Sequence, residues 1–160
     1  MYYFTTYPSP VGTLTLASDG NYLTGLWLEG QKYFAEHHSD PIHRPDLPVF
    51  RLVTKWLDDY FAGTPSSIDH IPMKPTGSPF RQQIWQILTG IRWGQTVTYG
   101  QIAAMMGTPK ASQAVGNAVG HNPISIIIPC HRVLGTGKRM TGYAGGIDKK
   151  QWLLKHEHIL

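Results

Sequence analysis

Cysteine is almost absent from this chain, with one residue, Cys130, among 160. A single thiol can form neither an internal disulfide nor a cysteine-rich zinc site, so Cys130 is either an inert core residue or a working thiol. Long apolar runs are missing too. No stretch approaches the ~18 consecutive apolar residues of a membrane-spanning helix, and the start, Met1 to Pro10, has neither the basic segment nor the apolar segment of an export signal. A soluble, cytoplasmic protein without a membrane partner is expected. Charged residues are only 15% of the chain against 41% hydrophobic, the opposite of a disordered composition, so a real core can form. No internal repeat or low-complexity tract is present, and 160 residues suit one domain or two small subdomains.

Acidic residues are scarce in one part of the chain only. Residues 1–72 carry eight acidic side chains against four basic ones, whereas residues 73–160 carry ten basic against only Asp148 and Glu157. The later part therefore suits a polyanion such as nucleic acid, or else presents an ordinary solvated basic surface.

The first 28 residues read as strands: Tyr2 to Tyr7 are aromatic and β-branched, Leu14 and Leu16 alternate, and Leu23 to Leu28 form an apolar run. Ser18-Asp19-Gly20-Asn21 supplies turn chemistry. Residues 34–48, rich in His, Pro and Asp, read as a loop. Val49, Leu52, Val53, Trp56, Leu57, Tyr60 and Phe61 recur at helical spacing, with Asp46 and Pro48 near the start and Gly63 at the end, which predicts a helix packed on the sheet. Ala62 to Gly77 is Pro- and Gly-rich and divides a unit at 1–75 from one at 76–160. Ser78-Pro79 opens a second helix with Phe80, Ile84, Ile87, Leu88 and Ile91 on one face. Tyr99 to Met106 and Lys110 to Val119 read as two short helices across Gly107-Thr108-Pro109, a candidate helix-turn-helix. Small residues on the second (Ala111, Ser112, Ala114, Gly116, Ala118, Gly120) permit close approach, either to DNA or to another helix. Ser125 to Ile128 is expected as a buried strand or extended segment, followed by a glycine-rich loop and a last helix that Asp148 can cap. The fold class is α+β: a small N-terminal antiparallel sheet with a packed helix, then a mainly helical C-terminal domain.

Cys130 follows the buried run and Pro129 and precedes His131 and Arg132. A neighbouring base and positive charge are expected to lower a thiol's pKa toward neutrality, the condition for a nucleophile. Because adjacent residues in an extended segment point apart, His131 is expected to act on the sulfur through a water. On residue types alone the inert reading stays open, as does core packing for Tyr99 and Tyr143 and a solvated helix face for Lys150.

Pro129-Cys130-His131-Arg132-Val133, preceded by Asn122-Pro123 and followed by Thr141-Gly142-Tyr143-Ala144-Gly145-Gly146, resembles the active-site signature of the O6-alkylguanine-DNA alkyltransferases, or methylated-DNA protein-cysteine methyltransferases. The resemblance runs from Ser78 to Glu157, and Ser9 to Leu28 is similar to that family's N-terminal domain. It implies a single-turnover repair protein that flips an alkylated guanine out of duplex DNA and moves the alkyl group irreversibly onto Cys130, without a cofactor and as a monomer. It further implies that His131 is the base, Glu157 the carboxylate orienting it, Asn122 the brace of the turn, Tyr99 the group at the lesion's phosphate and Lys150 part of the relay to the leaving base. Tyr143 and Ala144 would form pocket wall and backbone donors.

One position departs from the pattern. Where the family places an arginine that fills the gap left by the flipped base, this chain has Gln113, which is shorter and uncharged, so weaker flipping is expected. Arg81, Lys110 and Arg132 are candidates for phosphate contacts or for buried structural pairing. Val119, Gly142 and Ala144 are compatible with a roomy pocket. His37, His38, Asp40 and His43 could in principle surround a zinc ion, as in some relatives, but the usual cysteines are absent and no metal is expected. Two other classes remain: a non-catalytic lesion-binding protein, and a hydrolase using Cys130, His131 and Glu157.

Overall fold

The computed structural model describes residues 1–160. Three antiparallel strands, β1 (Tyr2–Ser9), β2 (Gly12–Ser18) and β3 (Leu23–Leu28), open the chain. The β1–β2 hairpin is closed by Ser9, whose Oγ donates to the Gly12 carbonyl at 2.6 Å. The β2–β3 turn is held by Asp19, whose Oδ1 accepts from the backbone N–H groups of Asn21 and Tyr22, both at 2.9 Å. Residues 34–48 are not wholly loop. Pro41–His43 forms a short exposed strand, β4, parallel to β1, giving the sheet order β3-β2-β1-β4 and one parallel pair in an otherwise antiparallel sheet. Three exposed residues carry no alternating pattern, which is why composition alone could not mark them.

One face of the sheet contributes Leu14, Leu16, Leu26 and Leu28 to a core that continues through the helices into the last third of the chain without interruption at residue 75. Helix α1 (Pro48–Phe61) lies against it, with Tyr7 stacked near Phe61 and donating to Asp58 at 2.6 Å. Its inward stripe includes Phe50, while Leu52, expected inside, is exposed. No side chain caps its start, where Pro48 occupies the first turn.

In the second unit, α2 (Pro79–Thr89) begins where the Ser78 hydroxyl accepts from the Arg81 N–H. Trp85, which lies outside the expected apolar stripe, is buried and donates to the Ala118 carbonyl at 2.9 Å, tying α2 to α4. Helix α3 (Tyr99–Met105) starts with a capping box between Thr98 and Gln101 and packs on α4 (Ser112–Gly120) as a helix-turn-helix. Val97–Thr98 (β5) pairs in parallel with Val133–Leu134 (β6). The last helix, α5 (Ile147–His156), is led by Gly146 at φ +105°. Asp148 lies inside its first turn instead of capping it, where its charge still opposes the positive helix end.

Ser125 to Ile128 is buried, as four consecutive apolar or small residues demand, but it is coiled into turns instead of being a strand. Ile126 takes φ +70°, a region a β-branched side chain rarely enters. The polar backbone here is met by Asn122, whose Nδ2 donates to the Ile128 carbonyl at 2.8 Å and whose Oδ1 accepts from the Ile124 N–H at 3.0 Å. The segment's own turns pair Ile127 N–H with the Ser125 carbonyl and Ile128 N–H with the Ile124 carbonyl, and the open edge of β3 adds two more bonds: Leu26 N–H donates to the Pro123 carbonyl at 2.8 Å and Ser125 N–H to the Leu26 carbonyl at 2.9 Å. The sheet edge therefore sets the position of the segment that leads into Cys130.

Removing the Asn122 amide leaves buried backbone groups unpaired. Asn122→Ala is expected to lower unfolding free energy by about 2–4 kcal/mol, read from the urea midpoint at unchanged slope.

Candidate active site

Cys130 opens a short 3-10 turn, Cys130–Arg132, directly after the coiled segment, and its thiol faces a cavity of about 470 Å³. The walls come from four places: Tyr99 at the start of α3; Gly116, Asn117, Val119, Gly120 and His121 along and after α4; Gly142, Tyr143, Ala144 and Ile147 from the glycine-rich loop and α5; and Lys32 and Tyr33 from the N-terminal unit. Two glycines shape that loop. A Cβ at Gly145 would meet the Tyr143 ring at 2.8 Å, and Gly146 holds the left-handed φ that turns the chain into α5.

Behind the thiol lies a fully buried polar group. His131 Nε2 and Glu157 Oε2 are 2.6 Å apart, and Arg132 Nε donates to Glu157 Oε1, also at 2.6 Å. Burial alone would raise the Glu157 carboxyl, but the hydrogen bonds and charges of His131 and Arg132 override it and leave its pKa at about 2. Glu157 is thus a carboxylate and can only accept, so His131 donates through Nε2–H and its Nδ1 is the free lone pair of the neutral ring. Nδ1 is buried and has no hydrogen-bond partner within the protein. Burial also lowers the imidazole's own pKa, only partly offset by Glu157.

The thiol departs from expectation. Burial raises the Cys130 pKa by more than Asn122, Lys150 and Tyr143 lower it, so the resting group is a neutral thiol and not a pre-ionised thiolate. The expected acidifying neighbours do not deliver their charge: His131 is neutral, and Arg132 is neutralised by Glu157. Lys150 is not on a solvated face. It is buried, donates to the Val133 carbonyl at 2.7 Å, and burial pulls its pKa down to about 8 against the attraction of Cys130. The Tyr143 hydroxyl is buried beside Cys130 without a satisfying partner, and burial followed by the cysteine's charge holds its pKa well above the usual value. Tyr99 is half-buried at the rim, where its hydroxyl accepts from Thr141 Oγ1 at 3.2 Å.

Of the two readings open for Arg132, a phosphate contact or buried structural pairing, the structure supports the pairing. The side chain is buried between Glu157 and the Ile91 carbonyl, to which Nη1 donates at 2.6 Å, and cannot reach a ligand outside. Arg81 is half-buried on the outer surface, its Nη2 donating to Asn117 Oδ1 at 3.1 Å, with exposed Gln113 lining the same shallow depression. Lys110 is exposed in the turn before α4. Ala144 presents a carbonyl, which accepts from the Lys32 N–H at 2.9 Å. The His37, His38, Asp40 and His43 side chains do not gather, and no group of three His, Cys, Asp or Glu side chains is close enough to share an ion.

Several contributors escaped the sequence reading, His121 and Ile147 in the cavity wall among them. Lys32 and Tyr33 sit in an aperiodic stretch, and Tyr33 stacks on His121 with centroids 3.8 Å apart. Tyr60 read as core only, yet its hydroxyl donates to Glu157 Oε2 at 2.6 Å. Hydrophobic periodicity locates a tyrosine's ring and says nothing about its hydroxyl.

Comparison with known proteins gives a consistent result. The family model described as 6-O-methylguanine DNA methyltransferase, ribonuclease-like domain, matches residues 2–75, and that described as 6-O-methylguanine DNA methyltransferase, DNA binding domain, matches residues 79–159. A methylated-DNA–protein-cysteine methyltransferase of Haemophilus influenzae is 46% identical over 158 residues, 98% of this chain and 87% of the relative. One from Methanosarcina acetivorans is 42% identical over 161 residues, 97% of each chain. The crystal structure of Mycobacterium tuberculosis OGT in complex with DNA superposes with a TM-score of 0.84 at 42% identity, covering 97% of this chain and 92% of that one.

A neutral buried thiol should be slow toward small electrophiles. The apparent pKa of Cys130, followed by iodoacetamide labelling against pH with mass detection, is expected above the ordinary ~8.5 of a free cysteine, so the thiolate fraction at pH 7.5 is smaller than for the free amino acid. A value at or below that of a free cysteine would overturn this.

Proposed function

The chain belongs to the 6-O-methylguanine DNA methyltransferase family, and from that premise we propose that it repairs duplex DNA by taking the O6-alkyl group of an everted guanine irreversibly onto Cys130 Sγ, one molecule per lesion. The observation that carries the reading is the lone thiol facing a cavity of about 470 Å³, within the common size range of ligand pockets, next in sequence to a histidine whose Nδ1 is buried and free. His131 Nδ1, which has no hydrogen bond to the sulfur, takes the thiol proton through a water, and Glu157 stabilises the imidazolium through Nε2–H. Sulfur then attacks the alkyl carbon; the S–C bond forms as the C–O6 bond breaks, and that electron pair returns to the purine. The base leaves as ordinary guanine once a ring nitrogen takes up a proton, which balances the one lost by sulfur. The thioether does not hydrolyse, so the reaction stops after one turnover, and it asks for no cofactor.

Asn122 keeps the turn that aims Cys130, Tyr99 stands at the rim for the lesion's phosphate, Tyr143 and Ala144 wall the cavity, and Lys150 supplies positive charge close to the developing thiolate. Arg81, Lys110 and Gln113 face the DNA, with α4 entering the minor groove on its small exposed residues. Residues 1–75 and 76–160 act as an N-terminal unit and a DNA-binding, alkyl-transferring unit. Thiol, base and cavity come from one chain, so a monomer suffices. A cytoplasmic location completes the reading.

Incubation with a duplex carrying O6-methylguanine should place one methyl group on the Cys130 peptide and restore guanine, with no transfer by Cys130→Ser. Unaltered protein bound tightly to the lesion would mark a binding protein instead, and repeated turnover a hydrolase. Gln113→Arg is expected to speed repair of duplex substrate roughly two- to tenfold by adding a charged, longer side chain at the flipped-out position; an unchanged single-turnover rate would count against a deficit at Gln113.

A further inference from the structure

Glu157 has three donors, and one comes from outside the second unit. Tyr60, buried on α1 and 97 residues away in sequence, donates its hydroxyl to Oε2, the same oxygen that receives His131 Nε2–H, each at 2.6 Å. Arg132 alone holds Oε1. The Tyr60 carbonyl accepts from His156 Nε2 at 2.6 Å, so one residue grips both members of the His156-Glu157 pair at the end of α5. The ring is fixed in turn by stacking on Trp56 at 5.3 Å and by the edge of Trp93 at 5.2 Å.

We propose that Tyr60 is a positioning residue of the thiol-deprotonating relay: its hydroxyl shares Glu157 Oε2 with His131 and so sets both the approach of the carboxylate to the imidazole and the strength of that imidazole as a base. This rests on the alkyl-transfer reading above. Burial and Glu157 raise the Tyr60 phenol, so it stays protonated and donates at every working pH. Two donors on one oxygen compete for its charge: a stronger bond from Tyr60 leaves a weaker one for His131, and the reverse. The other charged or titratable groups around the pair are Arg132 and Cys130 on the turn, Lys150 and His156 on α5, and Tyr143 on the loop. None of these others donates to Oε2. The N-terminal unit thus contributes to the proton-transfer machinery itself.

Tyr60→Phe keeps the ring, its stacking and the carbonyl bond to His156, and removes only the hydroxyl. Tyr60→3-fluorotyrosine keeps the shape and makes the phenol a stronger donor. In protein with 15N-labelled histidine and no DNA present, the His131 Nε2–H proton resonance should move downfield in the first variant and upfield in the second. Removing the hydroxyl makes His131 a stronger base but frees the carboxylate that orients it, and the lost orientation outweighs the gain: single-turnover methyl transfer by Tyr60→Phe at saturating duplex should slow roughly three- to tenfold, with duplex affinity unchanged. A resonance that stays put in both variants, or moves the same way in both, overturns the proposal whatever happens to thermal stability; should Tyr60→Phe not fold, the fluorinated variant alone decides by its upfield shift. Failure of wild-type protein to methylate Cys130 would instead overturn the reading of function, which the resonance does not depend on.

Discussion

The carboxylate of Glu157 is the group on which the rest of this structure depends. Taking an ionised carboxylate out of water costs several kcal/mol unless hydrogen bonds and opposite charge replace the solvent, and an apolar substitute would often be as stable. Here His131, Arg132 and Tyr60 supply three short donors, arriving from a 3-10 turn and from a helix of the other unit. Satisfying the charge this completely keeps it ionised, and an ionised Glu157 in turn dictates which nitrogen of His131 carries the proton. The tautomer of the base is thus decided by a residue that does not touch the sulfur.

The same constraint explains why the two units share one core. An alkyl-transfer site confined to residues 76–160 would leave the coiled segment before Cys130 with only Asn122 and its own turn bonds to satisfy its backbone, and the Pro123 carbonyl and Ser125 N–H would lose their partner. The edge of β3 takes up that need through Leu26, and Gln31 extends it, its Oε1 accepting from both the Leu28 N–H and the Ser125 hydroxyl. A sheet edge is a surface open to aggregation, and covering it with the active-site segment removes the exposed edge and fixes the segment together. The N-terminal unit is therefore a template for the site as well as a source of Tyr60, Lys32 and Tyr33.

How much of this was legible in the sequence follows from what each signal encodes. Strands β1 to β3, α1, the Ser78 start of α2 and the helix-turn-helix are written in local patterns, and they were readable. The Pro129 to Val133 motif pointed to the thiol and its base because the chemistry is contiguous there. What could not be read were choices made by tertiary distance. Ser125 to Ile128 has the composition of a strand, and only the nearness of Asn122 and β3 makes coiling affordable. Arg132 could not be assigned between a phosphate contact and buried pairing, because its partners Glu157 and Ile91 reach it from 25 and 41 residues away. Lys32 and Tyr33 lie in a stretch without periodicity and are held at the cavity by tertiary contacts, the Lys32 N–H bond to Ala144 and the stacking of Tyr33 on His121. The thiol's ionisation was misread for the same reason: adjacency to His131 and Arg132 suggested positive charge, while burial and Glu157 cancel it.

That last difference bears on how a reagent that works once must be built. A thiolate standing ready at neutral pH would react with any oxidant or electrophile small enough to enter, and each such event would destroy one molecule without a repair. A thiol whose pKa burial has raised is slow toward such encounters. In the proposed reaction it becomes a nucleophile when its proton passes to a base that is held neutral and in the correct tautomer. The relay behind Cys130 meets those conditions with Nδ1 free, Nε2 committed to Glu157, and Lys150 near enough to favour negative charge on sulfur as it forms. Burial that looks unfavourable for a nucleophile at rest is then what ties the loss of its proton to that relay.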